Sequence, residues 1–323
     1  LVEAAKKAGA DAADAVAVRG VSQGVEIRDG RVEESERSEG DDVGLRVLVG
    51  KRQAVVSTND ISGDNVATLA ARAVAMAKVA PDDAFAGLAD PALLAKQTRD
   101  LDLFDATEVS ADQLTEAALA AEAAALAVKG VTNSAGASAG AGLGGLVLAT
   151  SHGFLGHYVG SRFSRSASVI AGEGTGMERD YEFSSRQHFS DLDAPEEIGR
   201  KAGERAVRRI GARKAATGPI DVVLDPRVAR GIAGHLASAI NGASVARKTS
   251  FLRDMMGKQV AASAITVTDE PLRRRGQASR PFDGEGVEGE KLFMVEKGVL
   301  NHWFLSTSAA RELGLITNGR GAR

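Results

Sequence analysis

Apolar and polar residues alternate with a period of two through most of the first sixty positions, the spacing of half-buried strands. After a short helical tail at 1–8, "AVAVRG" reads as a strand. "GVEIRDGRVEES" (24–35) reads as a hairpin turning on Asp29-Gly30, and "VGLRVLVGKRQAVVSTND" (43–60) as a second hairpin turning near Gly50-Lys51. The period then changes to that of a helix in "SGDNVATLAARAVAMAKVA" (62–80), which opens on Ser and Asp. "PDDAFAGLADP" (81–91) is a linker or long loop. "SADQLTEAALAAEAAALAVKG" (110–130) is a strong helix, with Ser110 to cap it and Gly130 to end it.

Alternation returns from 131 to 190, so this stretch is predicted as strands. A helix follows at 193–212, with Asp193 as cap, Pro195 in its first turn and arginines near its end. "GPIDVVLDP" (218–226) has the continuous apolar character of a buried strand. It feeds a helical pattern, "GIAGHLASAINGASVARKTSFL" (231–252), and short strands then recur in "AITVTDEP" and "LFMVEKGVLNHWFLS". The last helix is "SAARELGL" (308–315). These elements predict an α+β protein. The expected domains are 1–90, a helix-flanked antiparallel sheet; 91–215, a helix and strands continuing that sheet; and 216–323, a β-rich part with the helix carrying His235.

Composition narrows the chemistry. The chain has no cysteine, which excludes disulfides, thiolate nucleophiles and cysteine-based zinc sites, and fits a reducing cytoplasm. A net charge of −3 gives no field that favours nucleic acid. The densest basic cluster, Arg273-Arg274-Arg275, reads as a solvated loop. No run approaches the roughly 18 apolar residues of a membrane span, and no secretory pattern precedes the first helix. The chain opens on Leu1 rather than Met, so a few residues are expected to be missing.

Two glycine motifs mimic active sites. Gly140, Gly142 and Gly145 spell G-x-G-x-x-G, and Gly136, Ser138 and Gly140 spell G-x-S-x-G. Each needs a helix straight after it, to hold a pyrophosphate or to shape a nucleophile elbow, and the strand-like "LVLATS" follows instead. A tight or mobile β connection is the simpler reading of 136–140. Of the five histidines, His152, His157, His188, His235 and His302, no two have the i, i+4 spacing of a zinc helix. His152 and His157 would sit on opposite faces of a regular strand. "SRPFDGEG" (279–286) concentrates Arg280, Asp283 and Glu285 among Gly284 and Gly286. It reads equally as a loop with a local ion pair or as the wall of a cleft.

Five stretches carry a resemblance to a family: "VRGVSQGVEIRDGRVEESERSEGDDVGLRVLVG", "MERDYEFSSRQHFSDLDAPEEIGRKAGERAVRRIGARK", "GPIDVVLDPRVARGIAGHLASAINGASVARKTSFL", "ITVTDEPLRRRGQASRPFDGEGV" and "VEKGVLNHWFLSTSAARELGL". In order and spacing the chain resembles the TldD/PmbA family over essentially its whole length. The resemblance implies a barrel-like C-terminal part. It also implies that family chains continue past the "TNGRGAR" end at Arg323, so that this part is truncated.

In the catalytic TldD branch this helix carries His-Glu-x-x-x-His, whose histidines bind zinc and whose glutamate activates water, with a further cysteine ligand later. Here His235 matches, but Leu236 stands at the glutamate and Ile240 at the second histidine. Zinc catalysis needs about three protein ligands and a base. Ile232, Leu236 and Ile240 form one apolar stripe instead, so the helix is expected to pack rather than catalyse. No catalytic residue and no metal ligand set is expected; His235 is the sole remnant.

The chain is similar to the PmbA (TldE) branch. That implies a non-catalytic, cytoplasmic subunit, inactive alone, of a heterodimeric TldD/TldE-type zinc peptidase that degrades unfolded peptides, including leader peptides and antitoxins. Zinc would sit in the TldD partner, and Arg280, Asp283, Gly284, Glu285 and Gly286 would contact extended peptide. The chain alone could form a homodimer. Alternatives are a stand-alone metallopeptidase with an unrecognised site, or a regulator of DNA gyrase, as the family's older label has it. Neither nucleic acid nor membrane is an expected partner.

Overall fold

The structure is a computed structural model that describes residues 1–60 and 62–322; Arg323, the expected point of truncation, and the side chain of Asp64 lie outside the described residues. The chain folds as α+β around two antiparallel sheets. The larger has six strands in the order β3-β2-β1-β4-β5-β6. They are β1 (Ala12–Arg28), β2 (Arg31–Val49), β3 (Arg52–Thr58), β4 (Val131–Thr150), β5 (Leu155–Ala171) and β6 (Glu178–Arg186).

The first hairpin turns where predicted. Asp29 and Gly30 have φ of 52° and 72°, the left-handed pair that matches the twist of the flanking strands. The carboxylate of Glu122, buried in helix α3 (Ala111–Leu126), accepts the N–H groups of Asp29 and Gly30 at 2.9 and 2.8 Å and so pins the hairpin tip to that helix. "AVAVRG" does not end a strand at Gly20. β1 continues to Arg28 because β2 and β4 pair with it on both sides, so the ladder carries the backbone across Gly20 and Gly24.

Helices cover one face of this sheet. α1 (Val2–Lys7) and α2 (Gly63–Val79) pack on Ala13, Leu45 and Val47, while α3 packs on Val25, Ile27 and Ala139. Ser62 stands at the cap position of α2 but makes no side-chain cap bond. Ser110 does cap α3, in a reciprocal box with Gln113. α3 ends at Leu126, four residues before Gly130, which instead takes a φ of 101° at the turn into β4. α4 (Pro195–Arg209) crosses α3 so closely that a methyl on Gly199 would lie 2.0 Å from the Ala121 carbonyl oxygen. Asp193 is not its cap. That position falls to Ala194, because the Asp193 carboxylate turns to Ser184 Oγ at 2.5 Å and Arg186 at 3.1 Å.

"GPIDVVLDP" is not a buried strand. It lies outside both sheets, and Val223 is 97% exposed. A buried strand needs neighbours, and none of the described residues pairs with it. The helix pattern beyond it divides into α5 (Pro226–Ala239) and α6 (Gly242–Ala246), because Asn241 caps the second by accepting the Ala243 N–H at 3.0 Å. Around Ile240, Met294, Leu300 and Trp303 a second core forms. It supports the smaller sheet, β7 (Val267–Asp269), β8 (Leu292–Glu296) and β9 (Val299–Leu300), and the last helix, α7 (Thr307–Glu312). Those three strands are hydrogen-bonded in the order β7-β8-β9. Among the described residues no helix is long and apolar enough to cross a membrane.

Candidate functional site

Two places were singled out by the sequence: α5 and the loop 279–286. On α5 and at its C-cap, Ile240, the three positions of interest point to different surroundings. His235 is exposed, Leu236 packs at the margin of the C-terminal core, and Ile240 lies within it at 1% exposure. The expected apolar stripe is therefore buried only at its C-terminal end; Ile232, one turn before Leu236, is exposed. The core around Ile240 holds no carboxylate or imidazole to bind a zinc ion, and among the described residues no group of three His, Asp or Glu converges anywhere. Zinc does not fit the residues present on this helix.

The other histidines have bland partners. His152 lies in the turn between β4 and β5, not in a strand, and its Nδ1 is 3.1 Å from the Ala89 carbonyl. His157 is exposed on β5. His188 Nε2 is 3.0 Å from the Asp102 carbonyl and 3.3 Å from its carboxylate. His302 is partly buried, which pushes its pKa down. The glycine motifs at 136–145 lie inside β4, paired on both sides, with a bulge beside Gly136 rather than a mobile connection. The arginine run is more than a solvated loop: Arg275 meets Asp102 at 2.6 Å and Asp191 at 3.0 Å, tying three segments together.

The loop 279–286 crosses the sheet face opposite the helices, where Phe282 packs on Val16, Leu146 and Leu148. Its ring meets Phe154 and Tyr158 edge-on, with centroids 5.1 and 5.5 Å apart. The contact needs Gly156 below it, since a methyl there would lie 2.7 Å from the Phe282 ring. Gly286, at φ 84°, would likewise bring a methyl to 2.8 Å from Phe154.

Asp283 and Glu285 do not form a local pair with Arg280. Both turn into the protein as backbone clips. Asp283, 2% exposed, accepts the N–H groups of Glu285, Val287 and Gly321 at 2.8, 3.0 and 2.6 Å. Burial pushes its pKa up to about 6, against the three amides that favour the carboxylate and with help from the charge of Glu285. Glu285 accepts the N–H and hydroxyl of Thr307 at 2.7 and 2.8 Å, holding the start of α7. The Gly284 N–H donates to the Gly321 carbonyl at 2.9 Å.

Arg280 alone of the three charged residues faces open space. It lines a cleft of about 710 Å³ between the loop and the sheet. The floor of that cleft is a row of glycines in register across four strands, Gly40, Gly20, Gly144 and Gly160. Tyr158 stands at its end, and Ser22, Ser38 and Gly142 form the next row. Sequence reading missed this floor and Tyr158. The signal was present as glycines spaced by two and four in β1 and β4, but their coincidence across strands depends on register.

A second feature concerns main chain alone. β3 pairs with β2 only over Val43–Val49, so among the described residues Arg31–Asp42 of β2 form an outer edge with no strand beyond.

Comparison with known proteins covers nearly the whole chain. Residues 13–77, 104–210 and 217–323 match family models described as PmbA/TldA metallopeptidase domain 1, central domain and C-terminal domain. Metalloprotease PmbA of Escherichia coli O157:H7 is 38% identical over 310 residues, 96% of this chain and 69% of that protein. A Metalloprotease PmbA homolog of Haemophilus influenzae is 37% identical over 320 residues, 98% of this chain and 70% of that one. Among solved structures, a Bacteroides thetaiotaomicron protein labelled a modulator of DNA gyrase superposes with a TM-score of 0.93 at 28% identity, over 99% of this chain and 74% of that one. TldE from Thermococcus kodakarensis superposes with a TM-score of 0.81 at 20% identity, over 100% and 72%, and shares the fold.

Proposed function

The chain belongs to the PmbA/TldD metallopeptidase family, and from that premise we propose that it is a non-catalytic, TldE-type subunit that pairs with a zinc-bearing TldD-type subunit to degrade unfolded peptides, leader peptides and antitoxins among them, in the cytoplasm. The observation that carries the proposal is the burial of Ile240 and the packing of Leu236 where the catalytic branch would need a ligand and a base. Leucine takes no proton from water and isoleucine binds no metal, so this chain's own residues are left with holding and orienting substrate.

The open edge at Arg31–Asp42 supports a mode for that holding. An extended peptide adds to it as a further strand, bound through main-chain hydrogen bonds that read little of its sequence. Such indifference to side chains suits a subunit that serves many unfolded peptides.

The test is zinc content and peptide cleavage for the chain alone, for a TldD-type partner alone, and for the two mixed at micromolar concentration. The expected result is no stoichiometric zinc on this chain, and cleavage that requires both. Zinc on the chain alone, with cleavage lost in His235→Ala, would overturn the proposal in favour of an independent enzyme.

A further inference from the structure

Several arginines near the open sheet face are held by carboxylates, although the exposed Arg162, which lines the same cleft as Arg280, forms no ion pair among the described residues. Arg274 and Arg275 reach Asp102 at 3.3 and 2.6 Å, and Arg320 reaches Asp269 at 2.7 Å. Arg280 differs from Arg162 in being partly buried and in lining the small cavity as well. Its main-chain N–H donates to the Pro271 carbonyl at 3.0 Å, but its guanidinium forms no ion pair among the described residues. The nearby acids are already engaged, Asp283 by three amides and Asp269 by Arg320.

The partly buried Arg280 stands where two spaces meet. One is the glycine-floored cleft of about 710 Å³. The other is a smaller, mostly apolar cavity of about 210 Å³, walled by Val16, Val18, Leu146, Leu148 and Phe282 and reached also by Asp283 and Gly284, with Tyr158 lining both. The charge of Arg280 acts on the half-buried Tyr158 phenol, lowering a pKa that burial otherwise raises.

A guanidinium without a counter-ion, partly removed from water, suits a planar anion that it can grip with two parallel N–H bonds. A floor without side chains lets a main chain approach closely. An apolar cavity beside the cation has room for a single apolar side chain. A peptide's last residue presents all three: carboxylate, main chain and side chain.

We propose that Arg280 anchors the C-terminal carboxylate of an extended peptide lying on the glycine floor, with the terminal apolar side chain in the small cavity. The assignment takes its ligand class, a peptide, from the function proposed above. The anchor orients the chain end, and it distinguishes a free terminus from an internal segment.

The test uses this chain alone and three N-terminally fluorescein-labelled hexapeptides, read by fluorescence anisotropy. One ends in leucine with a free carboxylate; one is its C-terminal amide; one is the amide with glutamate before the leucine. The free acid is expected to bind about ten-fold more tightly than the amide, the worth of one charged hydrogen-bonded contact. The preference should vanish in Arg280→Met and survive in part in Arg280→Lys, with the unfolding midpoint of each variant checking that it is folded. Equal binding of acid and amide, or a preference that persists in Arg280→Met, overturns the anchor. Tighter binding of the glutamate amide than of the free acid overturns the chain-end assignment, because the carboxylate then comes from a side chain. If no peptide binds while the mixed complex cleaves, the anchor fails and the subunit reading stands. An acid preference without association with a TldD-type partner does the reverse.

Discussion

Replacing Asp283 by asparagine should change the sign of a stability difference across mildly acidic pH. The carboxyl is buried, and its pKa is raised from 3.8 to about 6, chiefly by loss of hydration. In the unfolded chain it returns to about 3.9. Between those values the folded state binds more protons than the unfolded one. Stability from this group therefore falls as pH rises from about 4 to about 6, and stays low above that. A shift of about two units corresponds to ~3 kcal/mol. Asparagine cannot ionise, so it escapes that loss. It keeps an oxygen for the Glu285 and Val287 amides but turns an NH2 toward the Gly321 N–H, which Asp283 accepts at 2.6 Å. Leaving that amide unmet costs about 1–3 kcal/mol.

The variant should thus be less stable than the parent near pH 4 and equal to it or better near pH 7.5. Urea unfolding followed by Trp303 reads this directly, since it is the only tryptophan and is buried in the C-terminal core. The difference between the two proteins cancels the other titrations. Asp102 and Asp193 are held below the usual range, mainly by hydrogen bonds from Arg275 and Ser184. Their contributions are present above about pH 4 and are lost as pH falls below it, outside the window. A difference that does not change between pH 4 and 7.5 would refute the reasoning and mean that the three amides keep the carboxylate ionised throughout.

Two further substitutions probe the sheet and its helices. Arg46 reaches the buried Asp14 carboxylate at 2.5 and 3.0 Å, so Arg46→Met should destabilise by about 3 kcal/mol in the same urea assay, and a loss under ~1 kcal/mol would show that the guanidinium is dispensable there. Gly199→Ala should push α4 off α3 and cost about 3 kcal/mol, because the new methyl meets backbone at 2.0 Å; Gly234→Ala, with nothing within 4 Å on α5, should instead raise stability by up to about 1 kcal/mol, and thermal melts of the pair should move in opposite directions.

Local chemistry made much of the fold legible. Asp29-Gly30 specifies its turn because that backbone geometry needs left-handed φ values, and the Ser110–Gln113 box specifies its helix start because both partners lie within one turn. Asp193 does not cap α4 because Ser184, nine residues earlier in β6, competes for its carboxylate. The loop 279–286 was legible as a concentration of charge, but its division of labour was not: Asp283 and Glu285 bind amides from Gly321 and Thr307, which only the tertiary fold brings near.

By itself the sequence determined the α+β class, most hairpins and helices, the absence of thiol chemistry, and the apolar character of Leu236 and Ile240 after His235. These follow from residue type and short-range spacing. The tertiary structure decided that Val223 is exposed despite lying in an apolar run, that four glycines align into one floor, and that Arg280, beside a mostly apolar cavity, has no ion pair among the described residues. Those outcomes depend on which strands pair and in what register, and pairing is set by residues tens of positions apart whose mutual distance no local pattern encodes.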